Sequence, residues 1–485
     1  MEQYIFDENV SKEEFEELAA KPNVKSHFLG SYTWGNVAKE QGRIPFYVGV
    51  RKVPAESDAS VVSASEAGDP ATGSDALVAS ASEAAEDAST NASASEAADP
   101  ATADAAPKKG ELVATALLLK KHLFKGYSYF YIPRGFTMDY SDRELLKFMT
   151  ESIDKFCRKH KSLYFKIDPD IKLHTIDTDG KVIKGEENTD LVIDLKKMGY
   201  KHQPLNYFFE AEQPRFTFRL ALDGDMEEIE NGYGKTTKNI LKQTDKNQIE
   251  VTVGTSQDIA HFNRLMHMTE KRQDFFGHKQ EYYQFFYDTL KEDGMVALYL
   301  GHLDIPKLMA KLDAEMQPLL EEKEKLEASG TRKAKGKLKE VNNRLAAFEK
   351  QKEQLSGRPQ EKVVISAYLM VYYDDKAWTL YAGNDMDYSK FYGNYAVYRQ
   401  AIIDAKNDGY KIFDGFGSTG RPGADPHLDG LYEFKKKWGG EFTEFIGEFD
   451  FVQNKPLYFM YKKLIPIYHK RVNKKMRKQI QEDSK

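Results

Sequence analysis

The sequence predicts a mixed α/β (α+β) protein in which one unit is used twice and a helical arm is set into the second copy. Three observations carry this. Strand, turn, helix and strand recur in the same order from Gly135 to Asp168 and from Gly383 to Asp414, spans of 33 and 31 positions, with Met-Asp-Tyr at 138–140 and again at 386–388. Residues 305–357 keep apolar side chains three and four apart in two runs, Leu308, Leu312, Met316, Leu319 and Leu326, then Leu338, Val341, Leu345, Phe348 and Leu355. Residues 53–107 hold eleven Asp or Glu and no Lys or Arg, with hardly an aromatic or branched side chain, so they stand apart from any packed core.

In chain order, Ser11 with Glu14 reads as a helix start, 32–40 as a helix and Pro45–Val50 as a strand. The segment 53–107 repeats SASEAGDPAT (63–72) as SASEAADPAT (93–102); it is expected to be a disordered insertion that interrupts a hairpin resuming at Leu112–Leu119. The first copy of the unit comes next: strand Tyr129–Ile132, turn Pro133-Arg134-Gly135, helix 142–160, strand Leu163–Asp168. Arg215–Leu222 alternates as a strand, and Tyr233–Asn239 opens a helix whose Lys235, Lys238, Lys242 and Lys246 share one face. Gly234-Lys235-Thr236 is not a nucleoside-triphosphate loop, because the earlier glycine of that motif falls on Ile229. The two apolar runs of 305–357 pair across Ala328–Arg332 as an antiparallel coiled-coil hairpin with Arg332, Lys333, Lys335 and Lys337 at its tip. The second copy runs through strand Trp378–Tyr381, a helix over 391–407 and strand Tyr410–Asp414, and a basic tail with scattered apolar residues closes the chain.

Composition bounds the chemistry. Removing 53–107 turns the net charge of −6 into +5, so the remainder tolerates an anionic partner. One cysteine, Cys157, leaves no disulfide framework and no thiolate metal site, which suits a reducing cytosol. The acidic N-terminal residues do not read as a signal peptide, and no apolar run reaches the roughly 20 residues of a membrane span. The histidines show no metal-ligand spacing, and neither a Gly-x-Ser-x-Gly elbow nor a dinucleotide fingerprint is present.

The stretch Asp414–Gly440 is the candidate working end. A strand empties into a loop with seven glycines, where backbone can approach a ligand. Leu431–Trp438 then alternates aromatics with charge and crowds three lysines together, a composition suited to a phosphate beside a flat ring.

Ser26-His27-Phe28, Tyr129-Phe130-Tyr131 with Arg134-Gly135 and Asp139-Tyr140, Lys159 through Asp168-Pro169, Leu380–Gly383, Gly393–Val397 and Phe434-Lys435-Lys436, together with the hairpin, resemble the Fem/MurM family over nearly the whole chain outside the insertion. The resemblance implies tandem GNAT-like domains with a coiled-coil arm. The division expected is 1–200 for the first domain, 201–304 with 358–455 for the second, 305–357 for the arm and 456–485 for the tail. It implies a tRNA-dependent aminoacyltransferase of peptidoglycan bridge synthesis, with aminoacyl-tRNA as co-substrate, no cofactor and no metal. The acceptor implied is the side-chain amine of the third stem-peptide residue on a lipid-linked or UDP-linked precursor, met at the cytoplasmic face of the membrane.

Residue by residue, the resemblance assigns Lys435 and Phe434 to the channel joining the substrates and Asp168 to the acceptor amine. It assigns Tyr381 and Tyr282 to the acceptor. An acceptor-binding lysine expected after the tryptophan falls on Ala38, leaving Lys39 adjacent, and an expected arginine falls on His278 with Lys279 beside it. Lys235, Lys238, Lys242, Lys333 and Lys335 are the candidates for RNA. Two other readings stay open: an acyl-CoA-dependent N-acyltransferase, disfavoured because no Arg/Gln-x-x-Gly-x-Gly/Ala loop is evident, and a non-catalytic RNA-binding adaptor.

Overall fold

A computed structural model describes residues 3–53, 110–207, 212–273, 277–424 and 426–464. The insertion expected at 53–107 lies, but for its first residue, outside the described residues, as does the tail from 465. The hairpin that the insertion interrupts is formed: Ile44–Val53 pairs antiparallel with Glu111–His122, and Lys52 faces Glu111.

Two sheets organise the chain. The first runs Gln3–Asp7, Ile44–Val53, Glu111–His122, then β1 (Ser128–Ile132), β2 (Ser162–Ile167), the late strand Phe449–Val452 and Tyr200–His202. Its repeated unit is β1, helix α1 (Arg143–Lys159) and β2, with β1 and β2 parallel. Asp142 caps α1 by accepting from the Leu145 amide at 2.8 Å, which satisfies one of the free donors of the first turn. The helix buries Leu146, Met149, Ile153 and Phe156 against Phe130, Ile132, Phe165 and Ile167. Each such side chain contributes about 1.5–3 kcal/mol when fully buried.

The second sheet runs Glu250–Gly254, Val296–Asp304, Lys362–Tyr373, Lys376–Asn384, Ile412–Asp414, Phe216–Ala221, Glu441–Phe445, Lys172–Ile176 and Val182–Glu187. Here β3 is Phe216–Ala221, β4 is Lys376–Asn384 and β5 is Ile412–Asp414. A basic helix, α2 (Lys235–Lys246), follows β3, and helices α3 (Ile305–Ser329) and α4 (Arg332–Ser356) form the hairpin. The parallel pair β4/β5 is joined by α5 (Gly393–Asn407), and α6 (Asp429–Lys436) follows the glycine-rich loop. The duplicated unit is therefore present in both sheets. Its Met-Asp-Tyr coincidence is not structural: Met138 is fully buried in a short strand, whereas Met386 is 50% exposed at the start of a 3-10 helix.

The expected domain cuts do not follow the sheets. Lys172–Ile176 and Val182–Glu187, placed before residue 200, pair into the second sheet, and Phe449–Val452, placed in the second domain, pairs with β2 of the first. The first half lends two strands and the second lends one, a long-range pairing that local pattern does not encode. The tail expected from 456 also starts later. Lys455–Phe459 is a helix, and buried Tyr458 donates to Asp450 at 2.8 Å.

The hairpin turns at Gly330, whose φ of 59° is the left-handed conformation a glycine adopts freely. Leu319, Val341 and Leu345 meet between its helices, and Leu308, Leu312 and Leu355 seat its base against Ile365, Tyr388 and Phe391.

Candidate active site

β4 and β5 pair only over Lys376–Trp378 and Ile412–Asp414; β4 then runs on to Asn384 while the chain leaves β5, so the sheet opens as a wedge. Buried Asp414 ends β5 and anchors the loop beyond it. Its carboxylate accepts from the Phe416 amide at 2.8 Å, from Arg219 Nε at 2.8 Å and from the Thr217 hydroxyl. The loop turns sharply here, with φ of 46° at Phe416 and 40° at Gly417. That turn aims both carbonyls inward, where the Lys435 ammonium on α6 donates to them.

Lys435 is only 7% exposed. Burial pulls its pKa down to about 7, against the charge of Asp414, which acts to raise it. Its neighbours in sequence are paired with acids instead: Lys436 with Asp179 at 3.3 Å and Lys437, at the cavity's edge, with Glu433 at 3.6 Å. Phe434 packs edge-on against Tyr395 and Tyr398, with ring centres 5.1 and 5.2 Å apart.

The wedge holds a cavity of about 1010 Å³. Its walls include Thr379–Ala382 of β4, Phe416, Gly417, Phe434, Lys435 and Lys437, and the first turn of α5 at Gly393, Asn394 and Tyr395. Tyr392 precedes that turn at φ 60° and offers no side-chain cap, so α5 begins with its amides free of side-chain partners. His278, Tyr283 and Tyr381 line another side, and Glu212, Gln213 and Pro214 close it.

The structure thus brings Lys435, Phe434, Tyr381 and His278 together. Tyr282 is not in the wall but stacks on His278 with ring centres 3.8 Å apart, and its hydroxyl accepts from Gln41 at 2.9 Å. Lys39, two residues from Gln41, and Lys279 are exposed and do not line the cavity. Lys333 and Lys335 are exposed at the hairpin tip. On α2, Lys235 and Lys242 are exposed, while Lys238 is half-buried and donates to the Asn231 carbonyl at 2.9 Å. This helix is docked at the site: Gly234 N and Thr237 Oγ1 both donate to the Lys437 carbonyl, at 2.9 and 3.0 Å.

Asp168 lies elsewhere. It is 3% exposed and lines a second cavity of about 180 Å³ with Arg134, Gln203, Gln213, Arg215 and Glu448. Its oxygens accept from the Arg134 amide at 2.7 Å and the Tyr131 hydroxyl at 2.9 Å. Burial pushes its pKa up to about 7, only partly offset by the charge of Arg134. Sequence reasoning missed Glu212, Arg219 and Tyr398 as parts of this region. They are far from the glycine-rich loop in sequence, and no local motif marks them.

Among the described residues no cluster of metal-ligating side chains exists, and no helix is long and apolar enough to cross a membrane.

The fold and sequence have relatives. A lipid II:glycine glycyltransferase from Staphylococcus aureus (strain bovine RF122 / ET3-1) is 29% identical over 374 residues, 75% of this chain and 86% of that protein. One from Staphylococcus haemolyticus (strain JCSC1435) is 28% identical over 372 residues, with the same coverage. The crystal structure of FemX superposes with a TM-score of 0.67 at 23% identity, covering 94% of this chain and 99% of that one, and so shares its fold. A sequence model of the FemAB family matches residues 98–465, most of the chain and all of the wedge, and the protein therefore belongs to the FemAB family.

Proposed function

We propose that this protein is an aminoacyltransferase of peptidoglycan bridge formation. It transfers an amino acid, glycine by analogy with the names of its staphylococcal relatives, to a lipid-linked precursor. The finer reading is that the donor is an aminoacyl-tRNA and the acceptor the side-chain amine of the third stem-peptide residue. The observation that carries it is the buried lysine in the wall of a cavity large enough for two substrate ends.

In the reaction the amine nitrogen forms a bond to the ester carbonyl carbon, the carbon–oxygen ester bond breaks, and the ribose oxygen leaves with the proton the amine loses. The ester is already activated, so positioning and charge stabilisation suffice. Two of the Lys435 ammonium donors are taken by the Phe416 and Gly417 carbonyls. The third is free to meet the carbonyl oxygen as it gains charge. The amides at the start of α5 and the Lys437 side chain suit the phosphates of the donor end. The exposed lysines of α2, fixed to the Lys437 carbonyl, extend that basic track outward. Exposed Phe459, at 60%, beside Lys455 and Lys463 suits contact with an anionic membrane at the cytoplasmic face.

The test is a transfer assay with purified protein, glycyl-tRNA and a lipid-linked precursor, run beside its nucleotide-linked form and a panel of other charged tRNAs. Mass spectrometry should show one added residue on the stem peptide. No addition from any charged tRNA overturns the reading.

A further inference from the structure

The small cavity has no task in that reaction, yet its wall is built. Arg134 and Arg215, 7% and 8% exposed, both line it, together with Gln203 and Gln213. Arg134 donates from Nη2 to the Pro214 carbonyl at 3.1 Å and lies 4.6 Å over the Phe445 ring. Its buried Nε has no partner among the described residues. Arg215 gives Nε and Nη2 to Glu444, at 3.1 Å each, and its Nη1 is directed to Gly447, where an added Cβ would stand 2.5 Å away.

The acids in the same wall are already engaged. Glu448 accepts from Lys166 and from the Glu212 amide, and Asp168 accepts from the Arg134 amide and Tyr131. What is left over is the Arg134 Nε donor. A buried donor left without an acceptor costs stability, because it has given up its water and gained no bond in return. Arg134 bears a second cost, because its φ of 57° is a left-handed conformation that strains a non-glycine residue. Strain and an unmet donor on one residue that lines a cavity point to an absent acceptor.

We propose that this cavity binds the carboxylate at the end of a short peptide, with Arg134 Nε and Arg215 Nη1 as its donors. The volume, about 180 Å³, is that of roughly six waters and fits one terminal residue, not a nucleotide. Gln213 and Pro214 belong to the walls of both cavities, so a peptide whose amine reacts in the large one can end in the small one. The identity of that peptide as the acceptor rests on the function proposed above; the carboxylate site does not.

Calorimetry on the full chain, with acetylated alanyl-alanine, its C-terminal amide and acetate as probes, tests the site. The free acid should bind at least tenfold more tightly than the amide and than acetate. Arg134→Gln and, as a second variant, Arg215→Gln should each weaken the acid tenfold and leave the amide unchanged. Equal binding of acid and amide overturns the site, as does wild-type affinity in both variants. Equal binding of acetate and the dipeptide acid overturns the peptide and leaves a free small carboxylate. In the transfer assay an acceptor with an amidated terminus should show a KM at least tenfold higher. If it reacts as well as the acid, this inference fails while the transferase stands. If no acceptor reacts, the transferase fails while the calorimetry still decides the site.

Discussion

Asp168 and Lys435, the two residues expected to share the chemistry, line different cavities that have Gln213 and Pro214 in common. The carboxylate that influences Lys435 is Asp414, the counterpart of Asp168 in the second copy. Each copy therefore ends its central strand in a buried carboxylate, and in the second that carboxylate acts on the lysine of the large cavity.

Lys435→Met should lower kcat about 10²-fold, the usual loss when one donor to a developing oxyanion is removed. Wild-type rate should fall as pH rises through about 7, where Lys435 loses its proton, and the variant's residual rate should lack that limb. A pH–rate profile of both proteins checks this.

Asp414→Asn keeps an acceptor for the Phe416 amide but removes the charge that raises the Lys435 pKa. The alkaline limb should move to lower pH. Asp414→Ala should cost more, about 3–5 kcal/mol of stability, because Arg219 is left paired with Asp170 alone. Denaturant unfolding of the two variants separates these effects.

Folding stability should respond to the two buried groups with opposite signs. Asp168 has a raised folded pKa, so between about pH 4 and 7 the native state holds a proton that the unfolded chain has released, and stability falls as pH rises. Asp168→Asn should gain on wild type across that window, by on the order of 4 kcal/mol at most, and not beyond it. Lys435 has a lowered folded pKa, so above about pH 7 the unfolded chain binds the extra proton and stability rises with pH. The stabilising effect of Lys435→Met should be largest below pH 7 and shrink toward pH 10. Chemical denaturation at a series of pH values measures both.

Lys235→Glu and Lys242→Glu on α2 should each weaken tRNA binding several-fold and reduce the slope of log affinity against log salt by about 1, the signature of a lost phosphate contact. The Lys333→Glu/Lys335→Glu pair should do less, because the tip stands about 37 Å along a 25-residue helix from the body. Filter binding across a salt series distinguishes the two surfaces.

Much of the architecture was legible because it is local. The α1 and α5 helices, the parallel strands they join and the turn at Gly330 arise from apolar period, caps and a glycine, and all stand within two or three residues of their expected bounds. The aromatic and cationic pattern also pointed to α6. It could not say which of Lys435, Lys436 and Lys437 turns inward, since that depends on carbonyls presented by a loop some eighteen residues earlier.

The residue types and their spacing were enough to specify two α/β units, a helical hairpin and a basic, aromatic loop, because helices and turns are decided by neighbours in sequence. Tertiary structure alone decided that the units exchange strands, that Asp168 and Lys435 belong to separate cavities, and that both titrate near neutrality. Those outcomes depend on burial and on charges brought together across long stretches of chain, and desolvation has no counterpart in a linear pattern.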